Sequence, residues 1–181
     1  MFAAQATAIT TGPNITDLGL QLSFPKGCQI SKGNSAYIAL CAQLFGKHHQ
    51  KPLPALLPIF MISSEPHLNP NKKEHDPISV KRDAARLVCG SEQELEQMQF
   101  KDFHSDTNSE GKSHRFIVIC PADSYGVIGE RIGYYLQIIT KNNRYHAVGR
   151  FLLSQSKKLS PVAQSFINSV KLSPKTETID K

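Results

Sequence analysis

The stretch GYYLQIITKNNRYHAVGRFLL, residues 133–153, decides the fold. Apolar and aromatic residues dominate both of its halves, which are separated by Lys141-Asn142-Asn143. Two β-rich segments joined by a short polar turn are typical of a β-hairpin. We therefore predict antiparallel strands at residues 133–140 and 144–153.

Period-two alternation divides the second of these strands into a basic face and an apolar face. The basic face carries Arg144, His146 and Arg150, interrupted by Val148. The other face carries Tyr145, Ala147, Gly149, Phe151 and Leu153. A basic strip flanked by aromatic residues can bind phosphate or sulfate groups, so we predict that Arg144, His146 and Arg150 form an exposed ligand-binding strip. The alternative is an ordinary solvent-facing strand surface.

Further strands precede this hairpin. They are predicted at residues 18–24, 36–45, 59–62 and 115–120, where apolar runs or alternation are bounded by glycine, proline or polar residues. For the continuous apolar run at 36–45, the pattern alone leaves a helix open as the alternative. Residues 99–114 are polar and contain a glycine, and we predict a loop there.

Two helices have recognisable ends. The first is predicted to begin at Pro77, behind the capping residue Asp76, and to end before Gly90. The second is predicted at residues 161–172, opened by a proline and carrying an apolar stripe. A capping-box pattern at residues 91–94 predicts a further short helix.

The elements follow one another as strands, a helix, more strands and a last helix. Because the strand connections are hairpin-like, they indicate an antiparallel sheet and not the crossovers of a parallel one. The fold class is therefore predicted to be α+β, with a single, mainly antiparallel sheet flanked by helices. At 181 residues the chain fits one domain, predicted at 18–172 between a flexible N-terminal segment, 1–17, and a flexible tail, 173–181.

The composition is that of an ordinary globular protein with a mild basic excess. Hydrophobic residues make up 40% of the chain and charged residues 20%, which excludes a disordered composition. The formal charge of +6 favours anionic partners such as acidic lipid headgroups and sulfated or phosphorylated polymers. The cations are scattered along the sequence, which disfavours nucleic acid as a partner. No apolar run reaches the roughly 18 residues that a membrane-spanning helix needs.

Four cysteines lie far apart, at Cys28, Cys41, Cys89 and Cys120. They form no C-x-x-C pair, which argues against a thiolate zinc site. Two interpretations stay open: two disulfides, with three alternative connectivities, or four buried thiols. The small, polar start at residues 1–8 resembles the beginning of a mature secreted chain. We therefore predict at least one disulfide and an exported protein whose signal peptide has been removed.

No catalytic, metal or cofactor motif stands out. Cys120 is the best-placed thiol for a Cys–His nucleophile, but no family signature surrounds it, and Ser124 falls short of the G-x-S-x-G elbow. The histidines considered as metal ligands lie in polar or proline-rich segments that nothing holds together: His48, His49, His67 and His75. We expect no metal and no cofactor.

Three pieces of sequence carry a family resemblance. They are GLQLSFPKG at residues 19–27, GYYL at residues 133–136 with the strand that follows it, and FINSVKL at residues 166–172. Together they resemble the PsbP-like family, whose fold is shared with bacterial DcrB-type lipoproteins and a yeast nuclear-import factor. The resemblance implies a sandwich of helices around an antiparallel sheet, a binding or accessory role, and usually no catalysis. Cys28 stands where many members have a tryptophan.

The leading functional hypothesis is a non-enzymatic, exported bacterial binding or accessory protein, either periplasmic or secreted to act on a host. It would recognise an anionic ligand or a protein partner. One alternative is a small hydrolase or thiol enzyme with an unrecognised site. Another is a cytoplasmic accessory factor with reduced thiols.

Overall fold

A computed structural model of the chain describes residues 11–15, 18–41, 57–66, 77–90, 95–122 and 129–173. Several predictions concern residues outside these ranges. They concern Asp76 as the cap of the first helix, the capping box at 91–94, residues 42–45 of the strand predicted at 36–45, most of the predicted flexible ends, and the residues His48, His49, His67, His75 and Ser124.

Ten strands and two longer helices follow one another along the described residues. The strands are β1 (Thr11–Ile15), β2 (Leu20–Pro25), β3 (Gln29–Lys32), β4 (Ala36–Leu40), β5 (Ile59–Pro66), β6 (Gln99–Asn108), β7 (Gly111–Cys120), β8 (Arg131–Ile139), β9 (Asn143–Leu152) and β10 (Lys171–Leu172). Helix α1 (Pro77–Cys89) lies between β5 and β6, and helix α2 (Ser156–Ser169) lies between β9 and β10. Short 3-10 turns at Leu95–Gln97 and Leu153–Gln155 precede β6 and α2.

Seven of these strands form the principal sheet, in the order β3-β4-β5-β9-β8-β7-β6. Every neighbouring pair in it is antiparallel. The predicted α+β class with a mainly antiparallel sheet is thereby confirmed, and so is the β8–β9 hairpin. This hairpin provides two central strands of the sheet, which explains why its sequence is so apolar.

A second antiparallel sheet, in the order β1-β2-β10, brings the two ends of the domain together. Lys171 and Leu172 pair with Gln21 and Leu20. This small sheet is additional to the single sheet that the sequence predicts. Its two outer strands differ from the predicted boundaries. β10 begins at Lys171, whereas the second helix is predicted to continue to residue 172. β1 precedes residue 18, the predicted start of the domain.

The helices pack on opposite faces of the principal sheet, each over its own apolar core. α1 contacts β7, β8 and β9, and α2 contacts β8, β9 and β2. Consecutive residues of β8 point to different cores, since Tyr135 packs beneath α1 and Leu136 beneath α2. Phe166 of α2 lies within the larger core. The centroid of its ring is 5.3 Å from that of Phe24 and 5.4 Å from that of Phe60.

Two glycines let the helices approach the sheet closely. A Cβ on Gly133 would lie 2.6 Å from Cγ2 of Val88 in α1. A Cβ on Gly149 would lie 3.1 Å from that of Ala163 in α2. A side chain at either position would therefore push a helix away from the strands.

The N-terminus of α2 differs from the prediction. The helix begins at Ser156, and Pro161 lies inside it instead of at its start. A proline is best tolerated in the first turn, where its missing N–H has no intrahelical partner. Here Leu159, which is fully buried, extends the apolar stripe to the N-terminal side of the proline. Packing of that stripe outweighs the local preference of one residue.

Residues 99–114, predicted as a loop, belong instead to the hairpin of β6 and β7. Asn108 builds the turn, because its Oδ1 accepts the backbone N–H groups of Glu110 and Gly111, both at 3.0 Å. β6 is the last strand of the sheet and is exposed along nearly its whole length. Such an edge strand buries few side chains, so it lacks the hydrophobic alternation by which strands are recognised.

Two disulfides, Cys28–Cys41 and Cys89–Cys120, account for all four cysteines. The first closes the open end of the β3–β4 hairpin, where the two Cα atoms are 4.2 Å apart. The second ties the end of α1 to the end of β7. The prediction of at least one disulfide is confirmed, and the alternative of four buried thiols is wrong.

Candidate functional site

The predicted basic strip lies on one face of β9, as the alternation indicates, but it is not exposed. β9 is a central strand between β5 and β8, and α1 packs over this face. His146 is 3% exposed and the side chain of Arg144 is 16% exposed. Arg150 is half-buried against the end of α1. The predicted exposure of Arg144, His146 and Arg150 is therefore wrong, because a covering helix and not solvent meets the polar face of the strand.

His146 connects a buried tyrosine to a carboxylate at the surface. Its Nδ1 lies 2.8 Å from the Tyr135 hydroxyl, and its Nε2 lies 3.0 Å from Oε1 of Glu65. Tyr135 is fully buried, whereas the side chain of Glu65 is about half exposed. Burial, together with the nearby carboxylate of Asp83, raises the pKa of the Tyr135 hydroxyl, which therefore keeps its proton.

These partners determine the tautomer of a neutral His146. The hydrogen bond from His146 lowers the pKa of Glu65, in spite of the opposing effect of partial burial, so Glu65 is an ionised acceptor. In this tautomer Nε2 of His146 carries the hydrogen and donates a hydrogen bond to Oε1 of Glu65. Nδ1 is left to accept the hydroxyl proton of Tyr135, and all three groups are satisfied.

Arg144 lies between two carboxylates from different elements. Its Nη1 is 3.4 Å from Oε1 of Glu65 on β5 and 3.6 Å from Oδ2 of Asp83 on α1. Asp83 also accepts a hydrogen bond from Nε2 of Gln137 at 3.2 Å and pairs with Arg86 at 3.5 Å. These contacts fasten the N-terminal half of α1 to the centre of the sheet.

Arg150 and Arg131 hold the C-terminal end of α1. Nη1 of Arg150 donates to the carbonyls of Leu87 and Val88 at 3.3 and 3.4 Å, and Nη1 of Arg131 donates to the carbonyl of Cys89 at 3.0 Å. The last carbonyls of a helix lack intrahelical partners and carry the negative end of its dipole, so cations are favoured there. Burial, with a smaller effect from Arg131, lowers the pKa of Arg150. The charges of the predicted strip thus serve internal contacts.

An open groove lies on the opposite face of the sheet, and we call it the α2 groove. It is bounded by β6, β7 and β8 and by the exposed side chains of Gln164 and Asn168 on α2, and its volume is about 360 Å³. Asp102, His104 and Arg115 also line it. A volume of this size is at the lower end of those found for small-molecule sites.

A β-bulge in β6 places Asp102 and His104 at this groove. Lys101 pairs with Ile117 and His104 pairs with Arg115, so one extra residue of β6 fits between the two pairs. Asp102, inside the bulge, has a φ of 52°, in the left-handed region that aspartate tolerates better than most residues. Bulges redirect side chains, and this one brings an acid and an imidazole beside Arg115.

The α2 groove combines a charged rim with an apolar floor. Nη1 of Arg115 donates to Oδ1 of Asn168 at 3.1 Å, which orients the guanidinium towards α2. Within the described part of the chain, the side chains of Asp102 and His104 have no hydrogen bond or ion pair. The floor consists of Ile117, Tyr134 and Ile167. This arrangement can hold a small ligand through charge-assisted hydrogen bonds above an apolar surface.

The sequence pattern does not reveal the α2 groove, because it predicts a loop at residues 99–114, where the structure has β6 and part of β7. One signal was present in the spacing of Phe100 and Phe103. Residues three apart normally lie on opposite faces of a strand, yet both rings pack against Phe116, at 5.9 and 5.2 Å. Two aromatic residues at this spacing in a strand are what a bulge between them would produce.

Other chemistries find less support in the described residues. All four cysteines are disulfide-bonded, so none carries a thiolate nucleophile while the bonds are intact. Over the same ranges, no three His, Cys, Asp or Glu side chains are grouped so that they could share a metal ion. The helices found there are also too short or too polar to cross a bilayer.

The architecture is that of a PsbP-like α+β sandwich, which confirms the predicted resemblance at the level of the fold. The chain is similar to cyanobacterial PsbP (CyanoP) from Synechocystis, with a TM-score of 0.59 and 8% identity over 95% of this chain and 98% of that one. It is also similar to LpqN of Mycobacterium tuberculosis, which is involved in cell envelope biogenesis, with a TM-score of 0.56 and 11% identity over 90% of each chain. No protein-family model and no curated protein sequence matches the chain.

Proposed function

We propose that this protein is an exported, non-enzymatic binding protein that recognises an anionic group in the α2 groove. The observation that carries the proposal is the cross-strand pair of Arg115 and His104, whose side chains line the groove. A guanidinium has five N–H donors, and the recorded contact of Arg115 with Asn168 uses one of its nitrogens. A carboxylate, phosphate or sulfate can accept the others in a bidentate geometry.

The two disulfides support export. Structural disulfides persist in oxidising compartments and are rare in the reducing cytosol. They weigh against the alternative of a cytoplasmic factor with reduced thiols, and also against a thiol enzyme. The fold shared with LpqN, a protein of cell envelope biogenesis, is compatible with a role outside the cytoplasm.

The size of the α2 groove favours a single anionic group over an extended polymer. Its volume of about 360 Å³ suits a small molecule, a lipid headgroup or the end of a larger ligand. In this groove Arg115 provides one cationic group, and His104 lies beside it as a further hydrogen-bonding side chain. The predicted strip on β9 offers no such site, because α1 covers it and its arginines contact Glu65 and helix carbonyls.

The test is an NMR titration of the ¹⁵N-labelled protein with inorganic phosphate, acetate and sulfate at low salt. Resonances of Arg115, His104 and Asn168 should shift together, and the affinity should fall as salt rises. Arg115→Gln should weaken binding several-fold, whereas Arg82→Gln, at an exposed position on α1, should have little effect. Equal binding by both variants would contradict the proposal and favour a protein partner instead.

A further inference from the structure

The α2 groove carries charges of both signs that do not neutralise each other. Asp102 and Arg115 both line it, and both are exposed. Within the described residues, no carboxylate–cation contact of 4.0 Å or less involves either side chain. Both charges are therefore available to a third group.

The backbone keeps Asp102 at its position. Its left-handed φ of 52° lies within the bulge, whose register is fixed by the pairs on either side. An aspartate has a short side chain with only two torsions, so its carboxylate stays close to the bulge. Arg115, in turn, is directed to α2 by its hydrogen bond to Asn168. The carboxylate and the guanidinium are thus held by different contacts, the first by the bulge in β6 and the second by α2.

The same groove has an apolar floor of Ile117, Tyr134 and Ile167. A purely anionic ligand would contact Arg115 but would also meet the carboxylate of Asp102, which repels it. A ligand with an ammonium group in addition would satisfy both charges and cover the floor with its carbon chain. Mixed charge around an apolar floor therefore favours a zwitterion over a simple anion.

We propose that the α2 groove selects small zwitterionic ligands, in which Arg115 and His104 bind the anionic group and Asp102 binds an ammonium group. This inference rests on the proposed function, since it assumes that the groove binds an anionic group. It adds a role for Asp102 and names the ligand class as amino-carboxylates and related amino-anions.

A matched series of probes tests the inference: 6-aminohexanoate, hexanoate and hexylamine, which share one chain length and differ in their end groups. NMR titrations at neutral pH should show 6-aminohexanoate binding roughly twofold to tenfold more tightly than hexanoate, as expected for one added surface ion pair. Hexylamine should bind the most weakly, because only Asp102 would hold it.

Variants separate the role of the charge from that of the backbone. Asp102→Asn keeps a residue that tolerates the left-handed conformation, and Asp102→Gly removes the side chain while permitting the same φ. In both, the advantage of 6-aminohexanoate over hexanoate should disappear, while hexanoate should bind at least as well as before. Arg115→Gln should weaken both carboxylates.

The outcomes distinguish the two proposals. If hexanoate binds as tightly as 6-aminohexanoate to the wild type, or if the advantage survives in both Asp102 variants, the zwitterion inference is overturned while the proposed function stands. If neither carboxylate binds, or if Arg115→Gln changes nothing, the proposed function falls together with the inference.

Discussion

Removing one oxygen atom from the interior, by Tyr135→Phe, should destabilise the protein measurably. The Tyr135 hydroxyl lies 2.8 Å from Nδ1 of His146, to which it donates when the imidazole is neutral, and both residues are buried. Phenylalanine fills the same space, so the cost is that of leaving Nδ1 without its donor, about 1–3 kcal/mol. In a domain of this size 1 kcal/mol lowers the thermal midpoint by about 2–4 °C, so a loss of about 2 kcal/mol corresponds to roughly 4–8 °C.

Tyr134→Phe is the matched control. Tyr134 is the preceding residue of β8, it faces the other side of the sheet, and within the described residues its hydroxyl makes no hydrogen bond. Urea and thermal denaturation followed by circular dichroism should place this variant within about 0.5 kcal/mol of the wild type. The reasoning is refuted if Tyr135→Phe has the same thermal midpoint and free energy of unfolding as the wild type. It is also refuted if the two variants lose the same amount of free energy of unfolding.

Absorbance titration gives an independent measurement of the same group. The raised pKa of Tyr135 means that its phenol should stay protonated where ordinary tyrosines ionise, near pH 10, for as long as the protein is folded. Near pH 10 the folded wild type and Tyr135→Phe should therefore ionise the same number of tyrosines, and the wild type should ionise one more only when it unfolds. A folded wild type that ionised one more tyrosine near pH 10 than the variant would contradict the burial of the hydroxyl.

Three further outcomes follow from the packing and charges. Replacing Cys89 and Cys120 together by alanine should lower the free energy of unfolding by roughly 3–4 kcal/mol in urea, and by more than removal of the other disulfide, because their separation of 31 residues exceeds its 13. Glu65 has a folded pKa below its ordinary value of 4.5, so its carboxylate contributes stability that is complete above that pH and is lost as pH falls through the folded pKa. The stability difference between wild type and Glu65→Gln should accordingly shrink between pH 7 and pH 3, and a difference that grew in acid would contradict the assignment. Gly133→Ala should cost about 1–3 kcal/mol, since its Cβ would lie 2.6 Å from a methyl carbon of α1, whereas Gly129→Ala, with nothing within 4 Å, should unfold like the wild type.

Elements with a strong local pattern could be predicted from the sequence. α1 runs from Pro77 to Cys89 as its proline and following glycine indicate, and Gly90 has the positive φ of 76° that suits the residue after a helix. The β8–β9 hairpin likewise lies where two apolar segments flank a polar turn. These elements depend on residues only a few positions apart, so they can be predicted without knowledge of the rest of the fold.

Local patterns are weak where tertiary packing supplies the stability. β6 is polar because it lies at the edge of the sheet, so its sequence predicts a loop where the structure has a strand. Pro161 is a good helix start, but the burial of Leu159 extends α2 beyond it. In both cases contacts distant in sequence outweigh local propensity.

The predicted basic strip on β9 likewise separates what the local pattern predicts from what tertiary packing decides. Alternation alone places Arg144, His146 and Arg150 on one face of β9, because successive side chains of a strand point to opposite faces. Only the tertiary structure decides that α1 covers this face and that its charges contact Glu65, Tyr135 and helix carbonyls.

The α2 groove depends on packing even more strongly. It joins a bulge at Asp102, a strand at Arg115 and a helix at Asn168, which lie far apart along the chain. The sequence by itself determined α1, the β8–β9 hairpin and the two faces of β9, since these follow from the geometry of neighbouring residues. The tertiary structure decided burial, the pairing of the cysteines and the groove, because these depend on which distant segments pack together.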